Sequence, residues 1–322
     1  MSNNQHVPGN EQRLRKRAKP GKTGSGLRSI KAKENFWGYL FILPNLVGFF
    51  VFTLFGIGFS LTMSFTDWNL IKGVESAGFI GLANFKSMIG DVYLGASLRN
   101  NLLLLLVIPI NLVLAATLAS IINRGIYGRS FARSLFFLPY VTNVVAIATV
   151  WQALLHPTAG PVNSFLKSMG VSEAALPMWL SDMKWALPAL MIILIWKDLG
   201  YNILMYSAGL QNISKDYYEA ADIDGANAFK KFLHITVPML SPTTFLLTTL
   251  GIISSLQMWS IAQIITNGGP GTATYTLALY IYRSAFITYR TGYASALSWL
   301  LCIIILVITL IQWRGQKKWV NY

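Results

Sequence analysis

Residues 99–122 read RNNLLLLLVIPINLVLAATLASII. After Arg99 the stretch holds no charged residue. As a helix rising ~1.5 Å per residue it would be about 36 Å long, enough to cross ~30 Å of hydrocarbon. The same pattern recurs on both sides, over residues 37–65, 132–155, 186–210, 239–263 and 294–313. In a bilayer every backbone N–H and C=O must be satisfied within the chain, so uncharged runs of this length are read as helices. The expectation is an all-α integral membrane protein with six transmembrane helices. The first run is long for one crossing and contains Pro44, Gly48, Gly56 and Gly58, which predicts tilt or a kink. It does not read as a cleavable signal peptide, because its apolar part is too long and no small-residue cleavage site follows promptly.

Composition agrees. Hydrophobic residues make up 54% of the chain and charged residues 12%, against about a quarter charged in soluble domains. The net charge of +14 collects at the ends of the apolar runs. Its densest part, Arg13 to Lys33, contains few apolar residues, so nucleic-acid binding is not supported. Residues 1–33 read as a disordered basic cytoplasmic tail, leaving 34–322 as the membrane domain. Gly21-Lys22-Thr23 is not a phosphate-binding loop: that motif needs glycine at position 16, which is Lys16, and no strand precedes it. Cys302 is the single cysteine, so no internal disulfide or thiolate cluster is available. His6, His156 and His234 lie far apart, without ligand spacing, and no metal site is expected.

Lysine and arginine placement sets the expected orientation. With the amino terminus inside, the inner segments carry the basic tail residues plus Arg124, Arg129, Arg133, Lys215, Lys230, Lys231, Arg314, Lys317 and Lys318. That makes eighteen, against seven (Lys72, Lys86, Arg99, Lys167, Lys184, Arg283 and Arg290) outside. Both termini are therefore expected in the cytoplasm. The connections 66–98, 156–185 and 267–293 then face outward, each of about thirty residues, too short for an independent solute-capturing domain.

One inner loop differs from the rest: SKDYYEAADIDGANAFKKFLHITVPMLSP, Ser214 to Pro242. Ser214 suits an N-cap, with Asp216 and Glu219 in the first turns where the helix dipole favours anions. Gly225 stands where a left-handed residue would end the helix. A second short amphipathic helix follows, with Phe229, Phe232 and Leu233 apolar and Lys230 and Lys231 polar, before Pro238 and Pro242. Ala220 and Ala221 let another backbone approach closely and Glu219 can fix register through an arginine, so this helix suits a groove on a second protein.

This stretch resembles the EAA loop of binding-protein-dependent ABC permeases. That pattern is EAA, three residues, Gly, nine residues, Ile, one residue, Leu-Pro. Here it is met by Glu219-Ala220-Ala221, Gly225, Ile235 and Val237-Pro238, with Val237 the one departure. Leu43-Pro44, Phe65-Thr66-Asp67-Trp68, the segment Gly81 to Phe85, the segment Arg133 to Pro139, the segment Thr266 to Gly271 and Leu279 to Tyr282 are similar to the carbohydrate branch. That branch includes maltose-type, multiple-sugar and glycerol-phosphate-type permeases. The resemblance implies a type I importer permease fold in the bacterial cytoplasmic membrane, with residues 211–238 as the coupling loop. It implies that Glu219, Ala220, Ala221, Gly225, Ile235 and Pro238 form the coupling element. The implied partners are a second related permease, two ATPase subunits and an extracytoplasmic solute-binding protein. ATP and Mg would belong to the ATPase chains; this chain would carry no cofactor and no catalysis, and would contact a carbohydrate and membrane lipid.

Within the runs, charged and polar side chains mark candidate pathway residues. Lys197 and Asp198 fall mid-run, where charge is costly and must be paired or face water. Asp198 shares a helical face with Asn202, and Lys197 with Tyr201. Ser255, Trp259 and Gln263 recur at intervals of four and form one expected stripe, an indole and an amide suited to a sugar's C–H face and hydroxyls. Ser295 and Trp299 have the same spacing in the last run. The alternative is a self-sufficient secondary transporter or channel using Lys197 and Asp198 as a relay. A membrane enzyme finds no H-E-x-x-H or G-x-S-x-G motif to support it.

Overall fold

The computed structural model describes residues 23–123, 128–317 and 319–320. Most of the expected tail, together with Arg124 and Lys318, lies outside these residues. The chain divides into two compact units, Met1–Phe59 and Ser60–Tyr322.

Helix α1 (Thr23–Gly48) passes through Pro44 into π-helical turns at Phe49–Leu54 and then into α2 (Phe55–Met63). The irregularity expected in this long run is thus a widened helix, a form that relieves the ladder without ending it. Helix α1 starts at Thr23, within the stretch expected as a tail. Extending a helix that the apolar run has nucleated costs far less than starting one, and Leu27 to Glu34 are mostly good helix formers.

The second unit continues with α3 (Ala83–Ser87), α4 (Val92–Leu104), α5 (Val107–Asn123), α6 (Arg129–Val141), α7 (Val144–Leu154) and α8 (Pro161–Ser168). Next come α9 (Ala186–Gln211), α10 (Lys215–Ile223), α11 (Ala228–Lys231), α12 (Val237–Met239) and α13 (Ser241–Leu256). It closes with α14 (Ser260–Ile265), α15 (Leu277–Phe286) and α16 (Thr291–Gln316). Among the described residues no strand forms; an isolated bridge joins Thr66 and Phe79.

Four segments are long and apolar enough to cross a bilayer alone: 34–63, 92–123, 186–211 and 291–316. The third expected crossing is bent instead, by 95° between α6 and α7, and the fifth is entered through a 65° bend between the α11–α12 segment and α13. Six crossings result only if each bent pair counts as one. The first bend has a local cause. Thr142 is extended, and the Asn143 side chain caps α7 by accepting from the Val145 N–H at 2.8 Å, so a cap sits inside the apolar run.

Helix α9 packs against α5, α6 and α13 and supplies the fully buried Leu190, Ile193, Ile203 and Tyr206. Its Gly200 lets α6 come close: a β-carbon there would lie 1.8 Å from the Phe136 carbonyl oxygen. Small residues permit such backbone approach in membranes, where packing replaces the hydrophobic drive.

Candidate functional site

Between α5, α6, α9 and α13 lies a cavity of about 330 Å³. Its polar wall is made by Asn111, Tyr140, Asp198, Tyr201, Asn202 and Ser255. The Asn202 amide donates to Asn111 Oδ1 at 2.9 Å, and Asn111 donates to the Ile195 carbonyl at 2.9 Å. Lys197 Nζ donates to Asp198 Oδ1 at 2.8 Å and stands 5.1 Å from the Tyr140 ring centroid. Tyr140 and Tyr201 stack with centroids 4.7 Å apart. The two mid-run charges are thus paired with each other, the arrangement their burial demands. Asp198, Asn202 and Ser255 line the cavity; Lys197 backs it.

The Ser255–Trp259–Gln263 stripe does not exist as one helical face. Helix α13 ends at Leu256 and α14 starts at Ser260, and the break turns the later residues away. Trp259 packs on Tyr282, with ring centroids 4.8 Å apart, and Gln263 donates to Asn267 Oδ1 at 2.9 Å. Neither is among the cavity-lining residues. The break is held by side chains from elsewhere. Asn101 donates to the Leu256 carbonyl and accepts from the Leu277 N–H, both at 3.0 Å, while the Thr276 hydroxyl donates to the Met258 carbonyl at 2.7 Å. Carbonyls stranded by a broken helix are thereby satisfied. Asn100 and Asn111 also went unremarked in the sequence. An amide inside an uncharged run is the signal that would have found them, because it must be bonded there.

Near this break, Asp91 caps α4, accepting from the backbone N–H groups of Tyr93 and Leu94. Its second oxygen accepts from the Tyr280 and Tyr293 hydroxyls, each at 2.5 Å. Burial pushes the carboxyl up, but the bonds from Tyr280, Tyr293 and the two N–H groups outweigh it and hold Asp91 below its ordinary value. The same burial and the Asp91 bond raise the Tyr280 phenol.

The loop expected to dock is a built element. Ser214 caps α10, its hydroxyl accepting from the Asp216 N–H at 3.3 Å. Gly225 is left-handed at φ 71°. Its N–H donates to the Asp222 carbonyl at 3.1 Å, and the Ala226 N–H to the Ala221 carbonyl at 2.9 Å. This paired closure is the Schellman motif, for which glycine is the favoured residue. Asn227 then caps α11, accepting from the Lys230 N–H at 2.9 Å. An ion pair between Lys231 and Asp222 and a 3.0 Å contact between the Tyr218 and Thr236 hydroxyls hold the two short helices together. Glu219 and Ala220 are exposed beside Tyr217 and an 88% exposed Ile223. Ile235 and Pro238 lie half-buried where the π-helical turn Phe232–Thr236 leads into α12.

Residues 111–315 match the family described as binding-protein-dependent transport system inner membrane component. The chain is 35% identical to the probable ABC transporter permease protein YesP of Bacillus subtilis, covering 93% of this chain and 98% of that one. It is 33% identical to the arabinooligosaccharides transport system permease protein AraP of the same organism, covering 91% and 96%. The fold is also that of a bacterial ABC transporter involved in the import of the acidic polysaccharide alginate. There the TM-score is 0.79 at 24% identity, over 91% of this chain and 100% of that one.

Proposed function

Because the chain belongs to the family of binding-protein-dependent transport system inner membrane components, we propose that it is the membrane-crossing permease subunit of an ATP-driven carbohydrate importer. The observation that carries the reading is the α10 element: a short helix capped at Ser214, closed at Gly225 and presenting Glu219 and Ala220 outward. A rigid, exposed helix between two membrane segments can transmit a partner's movement, which an unstructured loop cannot. The partners are two ATPase subunits, a second related permease and an extracytoplasmic solute-binding protein, with ATP and Mg held by the ATPases. This chain performs no catalysis. Both termini and α10 face the cytoplasm, in keeping with the basic-residue asymmetry.

The solute path runs through the cavity bounded by Asp198, Asn202 and Ser255. A path that crosses the membrane needs two alternating openings, and ATP binding and release at the partners supplies the bias between them. The test is ATP hydrolysis by the reconstituted complex against a panel of carbohydrates, each offered with its receptor. Stimulation by a carbohydrate is the expected result. Uptake by this chain without any ATPase would overturn the reading in favour of a self-sufficient carrier.

A further inference from the structure

We infer that the cavity accepts an uncharged carbohydrate and turns away anionic solutes, with Asp198 as the discriminating group. The inference rests on the reading of this cavity as the solute path and adds the charge class of the solute.

Its ground is the arrangement of one ion pair. Asp198 lines the cavity, and no lysine, arginine or histidine is among the described residues that line it. Lys197 is bonded to Asp198 Oδ1 at 2.8 Å and lies over the Tyr140 ring, 5.1 Å from its centroid. The pair therefore presents its negative end to the cavity. An anionic solute would shed water and meet a carboxylate, with no donor of opposite charge to replace its hydration. A cation is drawn toward this wall, though less strongly than to an unpaired carboxylate, because Lys197 already offsets part of the Asp198 charge.

An uncharged polyol meets what it can use. The half-buried Asn202 amide and the side chains of Tyr140 and Tyr201 supply polar groups, and the tyrosine rings offer flat apolar area. The acidic polysaccharide carried by the importer of like fold would be refused at this wall.

The test needs neither the solute nor its receptor. Ser254 lines the cavity and is exposed, so Ser254→Cys in a Cys302→Ser background places one thiol there. Permeabilised membranes holding the assembled transporter are treated with uncharged, cationic and anionic methanethiosulfonates, each rate being divided by that for a free thiol. The cationic reagent is expected to react about fivefold faster than the anionic one. Asp198→Asn, which leaves the Lys197 charge without its partner, should reverse the preference. Lys197→Met combined with Asp198→Asn should bring the ratio close to unity. Equal or faster reaction with the anionic reagent in the parent would sink the charge inference while leaving the path intact. No reaction even with the uncharged reagent would show that the cavity is not a water-filled path, and both readings would fall.

Discussion

The side-chain amide of Asn101 on α4 donates to the carbonyl of Leu256, the last residue of α13, at 3.0 Å, while its carbonyl accepts from the N–H of Leu277 at the same distance. One buried amide thus closes the end of one helix and the start of another. Asn101→Leu keeps the branched shape of the side chain but strands both backbone groups, at about 1–3 kcal/mol each. Thermal unfolding of the solubilised transporter should show the loss. Because Ser254, Ser255 and Met258 flank the break and line the cavity, the KM for transport should also rise. An unchanged melting temperature would mean that the break is stable without Asn101.

Gly200 decides how closely α9 meets α6. A leucine side chain there would begin where the Phe136 carbonyl already stands. Overpacking of this kind costs about 1–3 kcal/mol or more when the obstacle is backbone. Gly200→Leu should reduce the amount of intact subunit in the membrane, measured by detergent extraction and size-exclusion chromatography. Gly38→Leu, with nothing near its β-carbon position, should have little effect. Equal yields for the two variants would remove Gly200 as a packing determinant.

Glu219 and Gly225 should fail differently. If arginine in the ATPase groove receives Glu219, the Glu219→Lys change costs about 2–5 kcal/mol at the docked interface. The ATPase should then no longer copurify, although α10 itself remains folded. Gly225→Val opposes the left-handed φ of 71° and should unravel the closure between α10 and α11. Gly225→Asn, a residue that tolerates this region, should be far milder. Full copurification and coupled transport with Glu219→Lys would show that the anchor lies elsewhere on the loop.

Asp91 makes a pH prediction whose sign follows from its lowered carboxyl. Such a group contributes stability fully above its unfolded value, 3.8, and loses it as pH falls through the lower folded value. The wild type should therefore melt above Asp91→Asn at about pH 7, and the gap should narrow as pH is lowered from neutral to below 3.8. A gap that stays constant across that window would show that the Tyr280 and Tyr293 bonds are indifferent to its ionisation.

Orientation is open to a direct measurement. In a Cys302→Ser background, an impermeant thiol reagent applied to intact spheroplasts should label a cysteine placed at Ser172 and spare one placed at Ser214. Labelling at Ser214 would reverse the proposed topology and detach α10 from any cytoplasmic ATPase.

Much of this protein can be read from residue order alone, because a bilayer makes strong demands on local sequence. The uncharged run 100–122 announces a helical crossing, and α9 and α16 fall close to the limits their apolar residues set. Ser214 and Gly225 mark the ends of α10 through cap and turn chemistry that acts over a few residues. Where hydropathy stays high, however, it says nothing about direction. The bend of 95° inside one apolar run and the break after Leu256 leave hydropathy unchanged while redirecting every later side chain. Periodicity therefore put Trp259 and Gln263 on one stripe with Ser255, whereas the fold leaves Ser255 on α13, Trp259 in the break and Gln263 on α14. Only tertiary structure could decide this, since the groups that satisfy the broken helix, Asn101 and Thr276, come from distant parts of the chain. The cost of charge in mid-run required Lys197 and Asp198 to be paired or to face water, without saying that they pair with each other. Which of the two would face the cavity depended on Tyr140 from another helix covering the ammonium, a contact that neighbouring residues along the chain do not encode.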